Sequence, residues 1–165
     1  MENPKTDILF EQWKIMANWT SGNIKTLSDE DLKKSYAEGK NHGVWILGHL
    51  IESEDELSKF LGKADMLFPE YEETFGQGST LEKVENYPSI SKLREQWSIV
   101  LEKNKGILSN MLDSELDEPH CMPMDSSLSD FFKTKGRCMM IWILHQMYHT
   151  GQLAILVSLA GKSKE

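Results

Sequence analysis

The residues of this chain best equipped for chemistry are His145 and His149, four positions apart in a stretch with no charged side chain from Cys138 to Gly161. On an α-helix that spacing sends both imidazoles out of one face about one turn apart, close enough to share an ion. Imidazoles in apolar surroundings lose hydration and need either hydrogen-bond partners or a cation. The pair alone fits two arrangements, half of a metal site or two satisfied core histidines. His49 adds weight to the first, because it belongs to another helical segment and lies within the uncharged run from Asn41 to Ile51. His49, His145 and His149 together form a candidate facial triad that leaves coordination positions open to water or substrate, as a catalytic metal site requires. His42, at a helix start, suits a capping or solvent role better than ligation. His120, between Pro119 and Cys121, suits an exposed loop. Glu52 and Gln152 each follow a candidate ligand by three residues and are candidates to hold an imidazole by a hydrogen bond. Glu52 is also a candidate proton acceptor, although an acidic residue there fits a solvent-facing side as well.

Four helices must position these groups. Leu9, Trp13, Met16, Thr20, Ile24 and Leu27 recur at steps of three and four and predict a helix over about 6–27, with Thr6 as its cap. A polar break at Ser28-Asp29-Glu30-Asp31 leads through a turn-like segment to a second helix that opens at Asn41 and stops at Gly62. The connection from Gly62 to Pro88 holds Pro69, Gly76 and Gly78 and reads as a long, exposed crossover. A third helix is expected from Ser89 to about Leu112, with Leu93, Trp97, Val100, Asn104, Ile107 and Met111 on one stripe. Residues 113–135 are irregular apart from a helical turn at Leu128 to Phe132, and the charge-free fourth helix ends at Gly161. Trp45-Ile46-Leu47 before His49 echoes Trp142-Ile143-Leu144 before His145, which suggests two helical hairpins joined by the crossover.

At 165 residues the chain fits a single domain, 1–165. A net charge of -8 without a basic patch disfavours nucleic acid. Cys121 and Cys138 lie far apart and read as free thiols in a reducing, cytoplasmic setting, and the N-terminus has no secretory pattern. The charge-free segment is long enough to cross a bilayer, but His145, Gln146, His149, Thr150 and Gln152 near its centre argue against that. A helix apolar on most of its circumference fits the centre of a bundle or a homodimer interface better. The tryptophans Trp13, Trp19, Trp45, Trp97 and Trp142 read as core residues.

Several stretches carry a resemblance to a known family. Trp45-Ile46-Leu47-Gly48-His49-Leu50, and His145-Gln146-Met147-Tyr148-His149-Thr150-Gly151-Gln152-Leu153, resemble the DinB-like superfamily, which includes the YfiT-type metal-dependent hydrolases. Tyr87-Pro88-Ser89 with Leu93 and Trp97, and the Leu112 to Leu116 stretch, add to it. The resemblance implies an all-α four-helix bundle of the DinB-like type with a long crossover between helices 2 and 3, often homodimeric. It also implies one divalent metal, nickel or zinc, held by the three histidines. Some relatives are transferases or isomerases that use a low-molecular-weight thiol such as bacillithiol or mycothiol. The leading expectation is an enzyme acting on a small-molecule substrate, in which the metal activates a thiol or water, as a thiol S-transferase or a hydrolase. The alternative is a noncatalytic, dimeric metal-binding stress or interaction protein.

Overall fold

The computed structural model describes residues 3–123 and 126–161, and these residues are helical with no named strand. Four long helices, α1 (Pro4–Thr26), α3 (Gly43–Phe60), α5 (Ile90–Leu108) and α7 (Lys135–Leu159), alternate with three short ones, α2 (Asp29–Leu32), α4 (Tyr71–Phe75) and α6 (Ser126–Phe132). The expected all-α bundle with a long crossover between its second and third long helices is therefore present. Its pairing differs from the two sequential hairpins suggested by the sequence echo. α7 packs against α1 and α3, and α5 packs against α3 and α1, so chain neighbours α1 and α3 lie across a diagonal of the ring. The connection over 27–42, which contains α2, is long enough to cross the end of the bundle. No helix among the described residues is long and apolar enough to cross a membrane.

Helix ends depend on partners near and far. Pro4 opens α1, and Thr6 is not its cap but a buried residue of the first turn. The orphan N–H groups of Lys5 and Thr6 donate instead to the Asp113 carboxylate, at 3.1 and 2.9 Å, from the far side of the sequence. Ser28 and Asp31 form a capping box that turns the expected polar break into α2. The cap of α3 is His42 rather than Asn41, with its Nδ1 accepting the Trp45 N–H at 3.0 Å. Ser89 caps α5 as expected, but that helix ends at Leu108, short of Leu112. Gly62 and Gly161, at φ 65 and φ 67, take the left-handed conformation that closes a helix and that suits glycine. Cys121 is exposed and Cys138 buried, and both are free.

The core is built around α3. Ile46, Leu47, Leu50 and Ile51 are fully buried, packed with Leu93 and Val100 of α5 and Leu153 of α7. The crossover is not an exposed loop: Tyr71, Phe75 and Tyr87 enter this same core. Phe75 packs over Gly48 so closely that a Cβ there would lie 2.2 Å from the ring. The acidic half of α3 is also inside. Asp55 pairs with Lys103 of α5 and accepts the Leu67 and Phe68 N–H groups at 2.7 and 2.8 Å, which pins the start of the crossover. Glu54 accepts from Trp13 Nε1 of α1 at 2.9 Å and from Asn104 Nδ2 of α5 at 3.0 Å. By contrast α7, expected to be covered on most sides, leaves Met140, Leu144, Met147, Ile155 and Leu159 exposed.

Burial pushes the Glu54 carboxyl up to about 7 from an ordinary 4.5, against the opposing pull of its Trp13 and Asn104 bonds. The folded chain then keeps a proton that the unfolded chain has already released. Its contribution to stability therefore falls as pH rises from about 4.5 towards 7 and levels off above. Glu54→Gln retains an amide oxygen for both donors and has no charge to desolvate. Urea denaturation at pH 5 and pH 8 should show the variant gaining about 1–3 kcal/mol on the wild type across that interval. Parallel stability profiles for the two proteins would show that Glu54 does not titrate in this window.

Candidate metal centre

His49 comes from the middle of α3, and His145 and His149 from successive turns of the adjoining α7. Their Nε2 atoms converge, with that of His145 lying 3.0 Å from His49 Nε2 and 3.1 Å from His149 Nε2. One potential ligand atom from each of the three lies within 4.8 Å of the others, a spacing that could hold a metal ion. Two of the three rings are fixed from behind. His49 Nδ1 donates to the Phe75 carbonyl at 2.7 Å. His149 Nδ1 donates to Gln152 Oε1 at 2.7 Å, while the Gln152 amide nitrogen donates to the Tyr36 hydroxyl at 3.1 Å, which leaves Oε1 as the acceptor. Trp45 stacks on His49 with ring centroids 4.8 Å apart.

These contacts decide the tautomers. With both Nδ1 protons committed, Nε2 of His49 and Nε2 of His149 each present a lone pair to His145. A single Nε2 proton on His145 can satisfy only one of them, whereas one cation would satisfy all three. The donor set suits a borderline transition metal. Burial, then the neighbouring imidazoles, pushes His145 down to about 3, and burial and His49 push His149 down to about 4, so both are neutral at physiological pH. Ligation requires that neutral form.

A cavity of about 670 Å³ opens beside the triad, with His49 and His145 in its wall. α3 and α4 contribute Glu52, Glu56 and Glu72, while α6 and α7 contribute Leu128, Phe131, Phe132, Ile141 and Trp142. Glu52 lies 3.6 Å from His49 Nδ1. Burial, then the nearby Glu56, Glu72 and Asp55, pushes its carboxyl up to about 8.

All three histidines singled out from sequence meet here, and the other two lie elsewhere. His42 caps α3 and is buried. His120 is half-buried, with Nε2 3.1 Å from Ser129 Oγ. Gln152 holds His149 as its spacing suggested. Glu52 is buried rather than solvent-facing. The Phe75 carbonyl, Tyr36 and the packing role of Gly48 had no readable signal: a backbone acceptor leaves no trace in residue type, and Tyr36 lies outside any periodic stripe. A glycine inside an otherwise apolar helix was the one available hint of close approach.

Comparison with known proteins agrees with this architecture. A conserved protein from Enterococcus faecalis has the same fold, with a TM-score of 0.66 at 14% identity, over 95% of this chain and 98% of that one. No curated protein matches the sequence. The family description "DinB superfamily" matches residues 12–153, which takes in α3 and α5 whole, most of α1 and α7, and the three converging histidines. This chain therefore belongs to the DinB superfamily.

Proposed function

We propose that this protein is a single-domain enzyme that binds one divalent transition metal, nickel or zinc, through His49, His145 and His149 and acts on a small-molecule substrate with a thiol or water nucleophile. The observation that carries this reading is the convergence of three Nε2 atoms while two Nδ1 protons are committed to Phe75 and Gln152. When bound, a divalent ion supplies Lewis acidity that lowers the pKa of a thiol or water. The chain's own residues do the rest. Phe75 and Gln152 hold two imidazoles in the tautomer that ligates, and Trp45 restrains the His49 ring. Glu52, in the cavity wall with its carboxyl raised to about 8, is the residue assigned to accept the nucleophile's proton in its ionised form, which a cation held by the adjoining triad would favour. Phe131, Phe132 and Trp142 exclude water from the reacting groups.

The reading also includes a homodimer. Trp19, expected in the core, is 58% exposed and lines a shallow groove with Met147 of α7, and Ile8 and Ile15 of α1 and Met140 and Leu144 of the adjoining α7 are uncovered as well. An apolar strip across two adjacent helices is the kind of surface a second copy buries.

Three outcomes are expected. Elemental analysis of purified protein should find about one divalent ion per chain, and His49→Ala, His145→Ala and His149→Ala should each lose most of it. Unchanged metal content in all three variants would defeat the triad. With cobalt substituted, the visible absorption should change on addition of a low-molecular-weight thiol, and thiol consumption with a panel of electrophiles should exceed that of His49→Ala. Indifference in both assays favours the noncatalytic alternative. Light scattering after size exclusion should return twice the 19.0 kDa chain mass, and the double variant Leu144→Glu, Met147→Glu should return a monomer with its metal intact. A wild-type monomer at micromolar concentration would count against the dimer.

A further inference from the structure

The cavity beside the triad has two chemically opposite sides. α3 and α4 bring Glu52, Glu56 and Glu72 to it, and among the described residues no Lys or Arg lines it. Glu52 is only 5% exposed and receives no hydrogen bond from any described residue. Its polar neighbour, His49 Nδ1, has its proton committed to Phe75. Glu56 is offset only in part by Lys59, and burial followed by Glu72 pushes its carboxyl up to about 7. Carboxylates gathered in a partly dehydrated space without a counter-charge are costly, and an entering cation relieves that cost.

The opposite side excludes a bare ion as the fitting occupant. Phe131, Phe132, Ile141 and Trp142 present aromatic and aliphatic surface that an inorganic cation cannot use. The wall carboxylates also do not converge as metal ligands do. Among the described residues, His49, His145 and His149 form the sole group of three or more whose ligand atoms lie within 4.8 Å of one another. A purely apolar ligand would leave the glutamates uncompensated, and an anion would be repelled by them.

The geometry points to an amphipathic organic cation as the ligand class of this cavity: a protonated amine against Glu52, Glu56 and Glu72, on an apolar body packed against Phe131, Phe132 and Trp142. The aromatic rings add attraction for the ammonium group itself. This assignment deepens the proposed function, and rests on it only for the direction of the reactive end, towards His49 and His145.

Calorimetric titration of the full-length protein at neutral pH, with three probes of similar body, tests this assignment. 2-Phenylethylamine should bind about tenfold or more tightly than 2-phenylethanol, and 3-phenylpropionate most weakly. Glu56→Gln and Glu72→Gln should remove most of the amine's advantage and leave the alcohol's affinity unchanged, which also shows that the cavity is intact. Phe132→Ala should weaken amine and alcohol alike. Equal or tighter binding of the alcohol or the carboxylate overturns the assignment. So does amine binding that is insensitive to both glutamine variants, and so does failure of all three probes to bind. Metal content measured on the same samples separates the two readings. Amine preference without metal overturns the triad alone, and metal-replete protein without amine preference overturns the ligand class alone.

Discussion

His49 gives its Nδ1 proton to the Phe75 carbonyl across 2.7 Å, and much of the architecture exists to make that bond possible. The crossover has to descend onto α3, so Tyr71, Phe75 and Tyr87 enter the core that a surface loop would leave to the helices. Phe75 can come close enough because residue 48 has no side chain. Once the proton is committed, Nε2 of His49 has only a lone pair to offer, and α7 brings two further imidazoles to the same point. A residue without direct contact with the converging nitrogens thereby sets the chemistry they can do.

The acidic residues of α3 show how one desolvated helix serves several purposes. Glu54 is drawn inward and ties α1 and α5 to α3 through Trp13 and Asn104. Asp55 pairs with Lys103 and holds the first residues of the crossover. Glu52 and Glu56 turn to the cavity, where among the described residues no Lys or Arg stands in the wall and Lys59 offsets Glu56 only in part. The first two stabilise the fold by satisfying donors that would otherwise be buried and unpaired. The others keep incompletely compensated charge potential beside the triad, an arrangement that favours an incoming cation over an anion.

Membership of the DinB superfamily and the shared fold of the Enterococcus faecalis protein account for the four long helices. A reaction is selected by the parts that vary around such a scaffold. Here α4 and α6, short helices on the crossover and on the irregular segment before α7, supply Glu72 on one side of the cavity and Phe131 and Phe132 on the other.

Periodicity in the sequence was enough to find α1, α3 and α5, because a buried stripe must recur at the helical repeat whatever it packs against, while a charge-free run closed by Gly161 marked α7. The i, i+4 spacing of His145 and His149 was enough to set two imidazoles on one face, since that follows from helix geometry alone. Local chemistry likewise revealed Ser89 as a cap and Gly62 and Gly161 as helix stops. What the sequence left open was everything that depends on a distant partner. The Asp113 cap of α1, the burial of Glu52 and Glu54, the diagonal placing of α1 and α3, and the exposure of Trp19 each depend on which helix lies alongside. Tertiary structure alone decided that the Phe75 carbonyl and Tyr36 stand behind the imidazoles, because hydrogen bonds across 26 and 116 positions leave no pattern in the residues between.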